Sequence, residues 1–268
     1  MRRILSFECE GATLAATLDE APGTTGLLIV SGGNEIRIGA HRGMAKLAAD
    51  VAAAGYPVFR FDRRGIGDSE GENAGFRESG PDIRAALDAF RAKCPAVTHV
   101  VAFGNCDAAT ALLLHEANIV WLVLANPWVI DQPEELPPAA AIRAHYWRRL
   151  RDPTAWKALL SGRLNLGSAA KGLKKITTAD ATSAALADEV GGKLARRITR
   201  TTLLLALRDN TAIAFISALK RPSYENVRTY QDWDIHHLDS SSHSFATDVD
   251  YQTLSTAIMS AIQEASET

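Results

Sequence analysis

The residue with most chemical promise is Cys106, in the run Val100-Val101-Ala102-Phe103-Gly104-Asn105-Cys106-Asp107-Ala108-Ala109. An apolar stretch passes through a very short polar one into a helix-forming one. Small residues stand two before and two after the sulfur. A nucleophile at the tip of a tight strand-to-helix turn needs that spacing, because bulkier neighbours would clash with strand and helix. A thiol at a helix N-terminus also faces a dipole and free N–H groups that favour an anionic sulfur. The Asp107 side chain opposes this by charge, while its backbone N–H is suited to hold a developing oxyanion. Taken alone, the same residues also describe a packed cysteine in a βα turn.

Downstream residues supply what such a nucleophile requires. Arg208-Asp209-Asn210 follows the apolar run Thr202–Leu207, and Asp239-Ser240-Ser241-Ser242-His243-Ser244-Phe245 precedes the last amphipathic segment. Asp209 is placed to orient His243 and stabilise its imidazolium. Nucleophile, acid and histidine in that order fit acyl transfer to water through a covalent thioester on Cys106, the alternatives being transfer to a hydroxyl or amine at the same site and a non-catalytic protein that binds an acyl or glycan ligand. His236 and His237 are alternative bases, less suited because they lie on a strand with side chains on opposite faces. Asp232, Asp234 and Asp239 are alternative acids. His99, His115 and His145 read as structural or surface residues. The three cysteines (Cys9, Cys94, Cys106) have the count and spacing of neither a disulfide framework nor a zinc site. No His/Asp/Glu cluster has metal-ligand spacing, so neither a metal nor another cofactor is expected.

The elements that must hold these groups follow from periodicity. Residues 4–18 read as a hairpin turning at Gly11. Strand-like runs at Leu27–Val30, Val58–Phe61, His99–Phe103 and Ile119–Leu124 alternate with helix-like runs at Met44–Ala54, Pro81–Lys93 and Ala108–Ala117. Short apolar strands alternating with helices predict a mostly parallel sheet covered on both faces. The rhythm stops after Asn126-Pro127-Trp128. It returns at Thr202–Leu207, with a helix near Ala212–Leu219, a strand near Trp233–Leu238 and a closing helix over 251–264. Two stretches, 1–128 and 196–268, therefore make one α/β core, and 129–195 is a helical insertion placed as a lid.

Two further stretches support the elbow at Cys106. Ile29-Val30-Ser31-Gly32-Gly33-Asn34 ends a strand in glycines, whose backbone can approach a substrate and present N–H groups. The Gly33 N–H is the expected second oxyanion donor, with Asn34 as the neighbouring choice. Phe61-Asp62-Arg63-Arg64-Gly65-Ile66-Gly67-Asp68-Ser69-Glu70-Gly71 resembles the D-x-R-G-x-G-x-S signature of the α/β-hydrolase superfamily, whose role is structural.

A closer likeness rests on Gly32-Gly33, Arg37, Gly39, His41-Arg42, the Cys106 elbow, Asn126-Pro127-Trp128, and the stretch from His145-Tyr146 through Trp156 to Leu159-Leu160-Ser161-Gly162. Over nearly the whole chain these residues resemble the α/β-hydrolases associated with the bacterial exosortase A system. There the elbow is similar to G-L-C-D-G, so this chain departs at Asn105 and Ala108. The resemblance implies an α/β-hydrolase fold, a cysteine nucleophile and a cell-envelope or exopolysaccharide context. Arg37, His41, Trp128, Tyr146 and Trp147 are the expected substrate contacts.

Charge bears on partners. From Arg143 to Lys175 nine basic residues face only Asp152, a local +8 in a chain of net −2, leaving −10 for the rest. Such a segment suits an acidic carrier protein, coenzyme A phosphates or an anionic membrane surface, or is a solvated helical face. The expected substrate is a small acyl compound, free or linked to a carrier protein or coenzyme A, and no nucleic acid is expected. An acidic residue at Glu8 interrupts the N-terminal segment before any long apolar run, and the expected location is cytoplasmic.

Overall fold

The computed structural model describes residues 1–115, 117–130, 184–229 and 234–267. Strands β1 (Arg2–Cys9) and β2 (Ala12–Asp19) form the expected hairpin, turning through Glu10 and Gly11 at φ 49° and 84°. The strands β3 (Thr25–Val30), β4 (Val58–Phe61), β5 (His99–Asn105), β6 (Trp121–Ala125), β7 (Arg200–Ala206) and β8 (Asp234–Leu238) complete one sheet in the order β1-β2-β4-β3-β5-β6-β7-β8. β1·β2 and β2·β4 are antiparallel, and every later pair is parallel. This is the α/β-hydrolase fold, as expected.

Period-two side chains explain the layers. From the central strands, Leu27, Ile29, Val101, Phe103, Val123 and Leu204 face one side. There they meet helices α1 (Gly43–Ala53), through Leu47 and Val51, and α7 (Asp248–Ser266), through Leu254, Ile258 and Ile262. Leu28, Val30, Val100, Ala102, Leu122, Leu124, Leu203 and Leu205 face the other side. They meet α2 (Gly80–Lys93), α3 (Asp107–Leu114) and α5 (Asn210–Ala218). Both faces are covered, so β3, β4 and β6 are buried at every residue.

The expected insertion at 129–195 lies largely outside the described residues, as do Tyr146, Trp147 and the whole basic run Arg143–Lys175. Its last segment is helix α4 (Ala184–Arg196), whose Leu186, Val190 and Leu194 are buried in the same cluster as Phe215 of α5 and Tyr224. That helix packs as part of the core. A short helix, α6 (Glu225–Thr229), follows Tyr224. Among the described residues no helix is long and apolar enough to cross a membrane.

Candidate active site

The site lies where β5, β6 and β7 deliver their C-terminal ends. β5 runs into α3 through Cys106, which has φ 60° and ψ −126°, a left-handed backbone rare for a side-chain-bearing residue. Three backbone bonds hold this conformation. Cys106 N donates to Ala125 O at 2.9 Å, and Cys106 O accepts from Trp128 N at 3.2 Å and from Thr110 N at 3.4 Å. The small flanking residues have visible reasons. A Cβ on Gly104 would stand 2.7 Å from the Ala108 carbonyl carbon, and Ala108 is itself fully buried.

His243 arrives on the loop between β8 and α7. Ser240 Oγ donates to Asp250 Oδ2 at 2.8 Å and accepts from Ser242 N at 3.0 Å, and Phe245 plugs into the core. These anchors leave His243 between two partners. Its Nδ1 lies 3.1 Å from Asp209 Oδ2, and the Cys106 side chain is near enough to act on its protonation. Asp209, buried at the end of β7, divides its carboxylate: Oδ1 caps α5 through Thr211 N and Ala212 N at 3.1 and 3.2 Å, and Oδ2 faces the histidine. The hydrogen bond to Asp209, and next the Cys106 side chain, raise the His243 pKa to about 10 against the opposing effect of burial. The site thus favours the imidazolium form. The alternative His236 pairs instead with Asp234 at 2.7 Å on the edge strand.

The other two cysteines differ in setting. Burial, followed by the Asp82 carboxylate, pushes Cys9 up to about 11, and burial also raises Cys94. Of the three cysteines, only Cys106 acts on the protonation of a histidine among the described residues.

The glycine loop after β3 corrects one expectation. Gly33 N does not stand free: it donates to Asp107 Oδ1 at 2.6 Å. Arg63, buried in the loop after β4, binds both partners, donating from Nη2 to Gly33 O at 2.6 Å and lying 3.4 Å from Asp107 Oδ2. The carboxylate beside the nucleophile is thus engaged in holding the loop, and its charge is matched by a guanidinium. Asn34 N–H has no partner among the described residues, and its side chain accepts from Asn73 Nδ2 at 3.1 Å. Asp107 N–H, as the first amide of α3, lacks an intrahelical acceptor. These two amides are the remaining oxyanion candidates. A Cβ on Gly32 would lie 2.5 Å from Asn105 O and 2.9 Å from Asp107 Oδ1, so the loop presses directly on the elbow.

Arg37 is the second correction. Its guanidinium pairs with fully buried Asp62 and, at 3.0 Å, with Asp68, while its carbonyl accepts from Arg60 at 2.7 Å. A charge that looked free in a loop has its partners in the signature stretch and is engaged there. That stretch holds itself as its sequence suggests, Ser69 Oγ donating to Asp62 O at 2.7 Å and Asp68 N to Asp62 Oδ2 at 3.2 Å. His41 is exposed, with φ 53°, near the loop carboxyl of Glu35. Trp128 is half-buried under the elbow, its indole N–H donating to Ile130 O at 2.6 Å.

Sequence reasoning missed four residues here. Arg63 is one. Glu35, half-buried and within electrostatic reach of His243, Asp107 and His41, has its pKa raised by burial. Asn105 and Asn126 carry hydrogen bonds to the site's other elements. Polar residues flanking the elbow were the signal for Asn105, and an Asn-Pro pair directly after an apolar strand was the signal for Asn126. Among the described residues no group of three or more His, Cys, Asp or Glu could hold a metal ion.

Comparison with solved structures agrees with this architecture. An esterase of Pyrococcus furiosus superposes with TM-score 0.66 at 15% identity, over 98% of this chain and 91% of that one. An α/β-hydrolase of Penicillium gives 0.66 at 14% over the whole of both chains, and an esterase of Exiguobacterium antarcticum gives 0.60 at 14%, over 96% and 98%. No curated protein sequence matches the chain significantly. The sequence profile of the serine aminopeptidase S33 family matches residues 26–201, from β3 through the elbow to the start of β7. The chain belongs to that family of α/β-hydrolases, and it carries cysteine at the residue where the elbow presents its side chain.

Proposed function

We propose that the protein is a hydrolase of ester or thioester bonds, lactones included, acting through an acyl-Cys106 intermediate. The observation that carries this reading is the meeting of three strand ends: His243 bonded to Asp209, with the sulfur at the tip of a strained elbow close enough to act on the same ring.

The chemistry follows from that arrangement. Transfer of the Cys106 proton to His243 leaves a nucleophilic sulfur, which attacks the substrate carbonyl carbon. The C–S bond forms as the carbonyl π electrons move onto oxygen, where the N–H groups of Asp107 and Asn34 stabilise the charge. One such donor is worth about 100- to 1,000-fold in rate. Collapse expels the alkoxide or thiolate, which takes the proton from His243 Nε2. In the acyl-enzyme the sulfur is neutral, so the second cause of the raised His243 pKa disappears. The histidine is then a usable base toward water, whose attack releases the acid and restores the pair.

Two features bear on substrate. The basic run Arg143–Lys175 supports an acyl group carried on coenzyme A or an acidic carrier protein, by charge complementarity. The resemblance to exosortase-associated hydrolases supports a bacterial envelope or exopolysaccharide setting. A panel of p-nitrophenyl esters, lactones and acyl-coenzyme A thioesters tests the reading. Turnover by the wild type, loss in Cys106→Ala and a higher KM for coenzyme A thioesters in the Arg148/Arg149/Arg151→Gln variant are expected. Equal turnover by Cys106→Ala would contradict the nucleophile. An unchanged KM would remove the carrier assignment.

A further inference from the structure

Asn105 sits immediately before the nucleophile, yet no reacting group touches its side chain. As the last residue of β5 it has no backbone conformation that demands an asparagine, and it is half-buried. A polar amide in such a place costs free energy unless it is bonded on both ends. It is. Asn105 Nδ2 donates to the His243 carbonyl oxygen at 2.9 Å, and Asn105 Oδ1 accepts from Asn126 Nδ2 at 3.2 Å. Asn126, wholly buried after β6, accepts on Oδ1 from Ala206 N at 2.9 Å, and its own N–H donates to Leu204 O at 2.9 Å.

The sense of this chain is forced. Ala206 N–H can only donate and His243 C=O can only accept, so each amide between them has one possible orientation. A run of three bonds thus crosses the C-terminal edge of the sheet from β7 through β6 to β5, and ends on the main chain of the histidine. It shares its β7 origin with Asp209, three residues after Ala206, and its β5 end with Cys106, one residue after Asn105.

We propose that Asn105 and Asn126 are positioning residues that set the distance from His243 to Cys106 by holding the His243 backbone to the elbow. One side-chain bond thus ties the histidine loop to the elbow across 138 residues of sequence. In a low-dielectric setting linked amides of this kind act cooperatively. The inference rests on reading Cys106 and His243 as the working pair.

The test is the rate of iodoacetamide alkylation of Cys106, read peptide by peptide against Cys9 and Cys94, on the acid and alkaline sides of neutrality. Wild type is compared with Asn105→Leu, which has a similar shape but neither the donor nor the acceptor of the amide. In the wild type Cys106 reacts fastest, because His243 stands beside the elbow to take up its proton. In Asn105→Leu the acid-side rate, relative to the alkaline-side rate, falls about tenfold or more, and ester kcat falls with little change in KM. Asn126→Asp, which keeps the acceptor for Ala206 N–H and loses the donor to Asn105, shifts the same ratio in the same direction. An acid-to-alkaline ratio unchanged in Asn105→Leu, whatever happens to its Tm, would overturn the positioning role. A wild-type Cys106 no faster than Cys9 and Cys94 would overturn the Cys106–His243 reading and this inference with it.

Discussion

Asp209 serves two masters with one carboxylate, and the two can be separated. Asp209→Asn retains an acceptor for Thr211 N and Ala212 N but presents a neutral amide to His243. Stability should change little, while kcat falls about 10³- to 10⁴-fold, as for other triads that lose the charged partner of the histidine. Asp209→Ala should lose activity similarly and also about 1 kcal/mol of helix-cap stability. Urea unfolding alongside ester turnover distinguishes the two effects. His243 gives a second prediction at this scale. Its pKa of about 10 means the acid that protonates the leaving group persists until strongly alkaline pH. For alkyl esters, whose leaving groups need that proton, kcat/KM should fall as pH rises through about 10. For p-nitrophenyl esters the fall should be weaker. An alkaline limb near the ordinary histidine value of about 6.5 would show that the bond to Asp209 and the effect of Cys106 do not hold in solution.

At the scale of elements, the elbow depends on the close approach of β5 and α3. Adding a methyl at Gly104 drives it to 2.7 Å from the Ala108 carbonyl carbon and 2.8 Å from its oxygen, both backbone atoms. Gly104→Ala should therefore destabilise by about 1–3 kcal/mol, the range for overpacked interiors, and lower kcat by shifting Cys106. Ala108→Gly, which only removes a buried methyl, should leave turnover nearly intact. The histidine loop has an analogous anchor in Phe245, 2% exposed with φ 54°. Phe245→Ala should cost about 3–5 kcal/mol by thermal or urea unfolding.

The same scale shows why parts of the site were legible in sequence and others were not. Cys106, Asp209 and His243 can be nominated together because each lies just beyond a strand, and strand ends in a parallel sheet share one edge. Gly33 was read as a free donor because a glycine loop says nothing about which side chain will fill it; Asp107 does so from 74 residues away. Arg37 looked available for the same reason, since the burial of Asp62 is a tertiary fact. The antiparallel insertion of β2 beside β4, and the amide chain through Asn126, join segments with no shared local pattern. The end of α3 is a smaller case. Helix-forming residues continue to Ala117, but His115 turns extended at φ −104° and ψ 99°.

Across the whole molecule, the sheet acts as a frame that brings four loops to one edge: the glycine loop after β3, the elbow after β5, the aspartate after β7 and the histidine after β8. Folding is thereby linked to protonation at that edge. His243 binds its proton more tightly in the folded state than in the unfolded chain, where its pKa is about 6.5. Its contribution to stability is fully present below about 6.5 and is lost as pH rises through about 10. Removing it by His243→Ala should flatten the fall in Tm across that window. Whether Cys106 carries the acyl group is read by intact-mass and peptide mass spectrometry after brief exposure to an activated ester. A single acyl adduct located on Cys106 is expected, absent in Cys106→Ala and accumulating when His243→Ala slows its hydrolysis. Substrate turnover with Cys106 unmodified, or an adduct on another residue, would contradict the acyl-Cys106 intermediate.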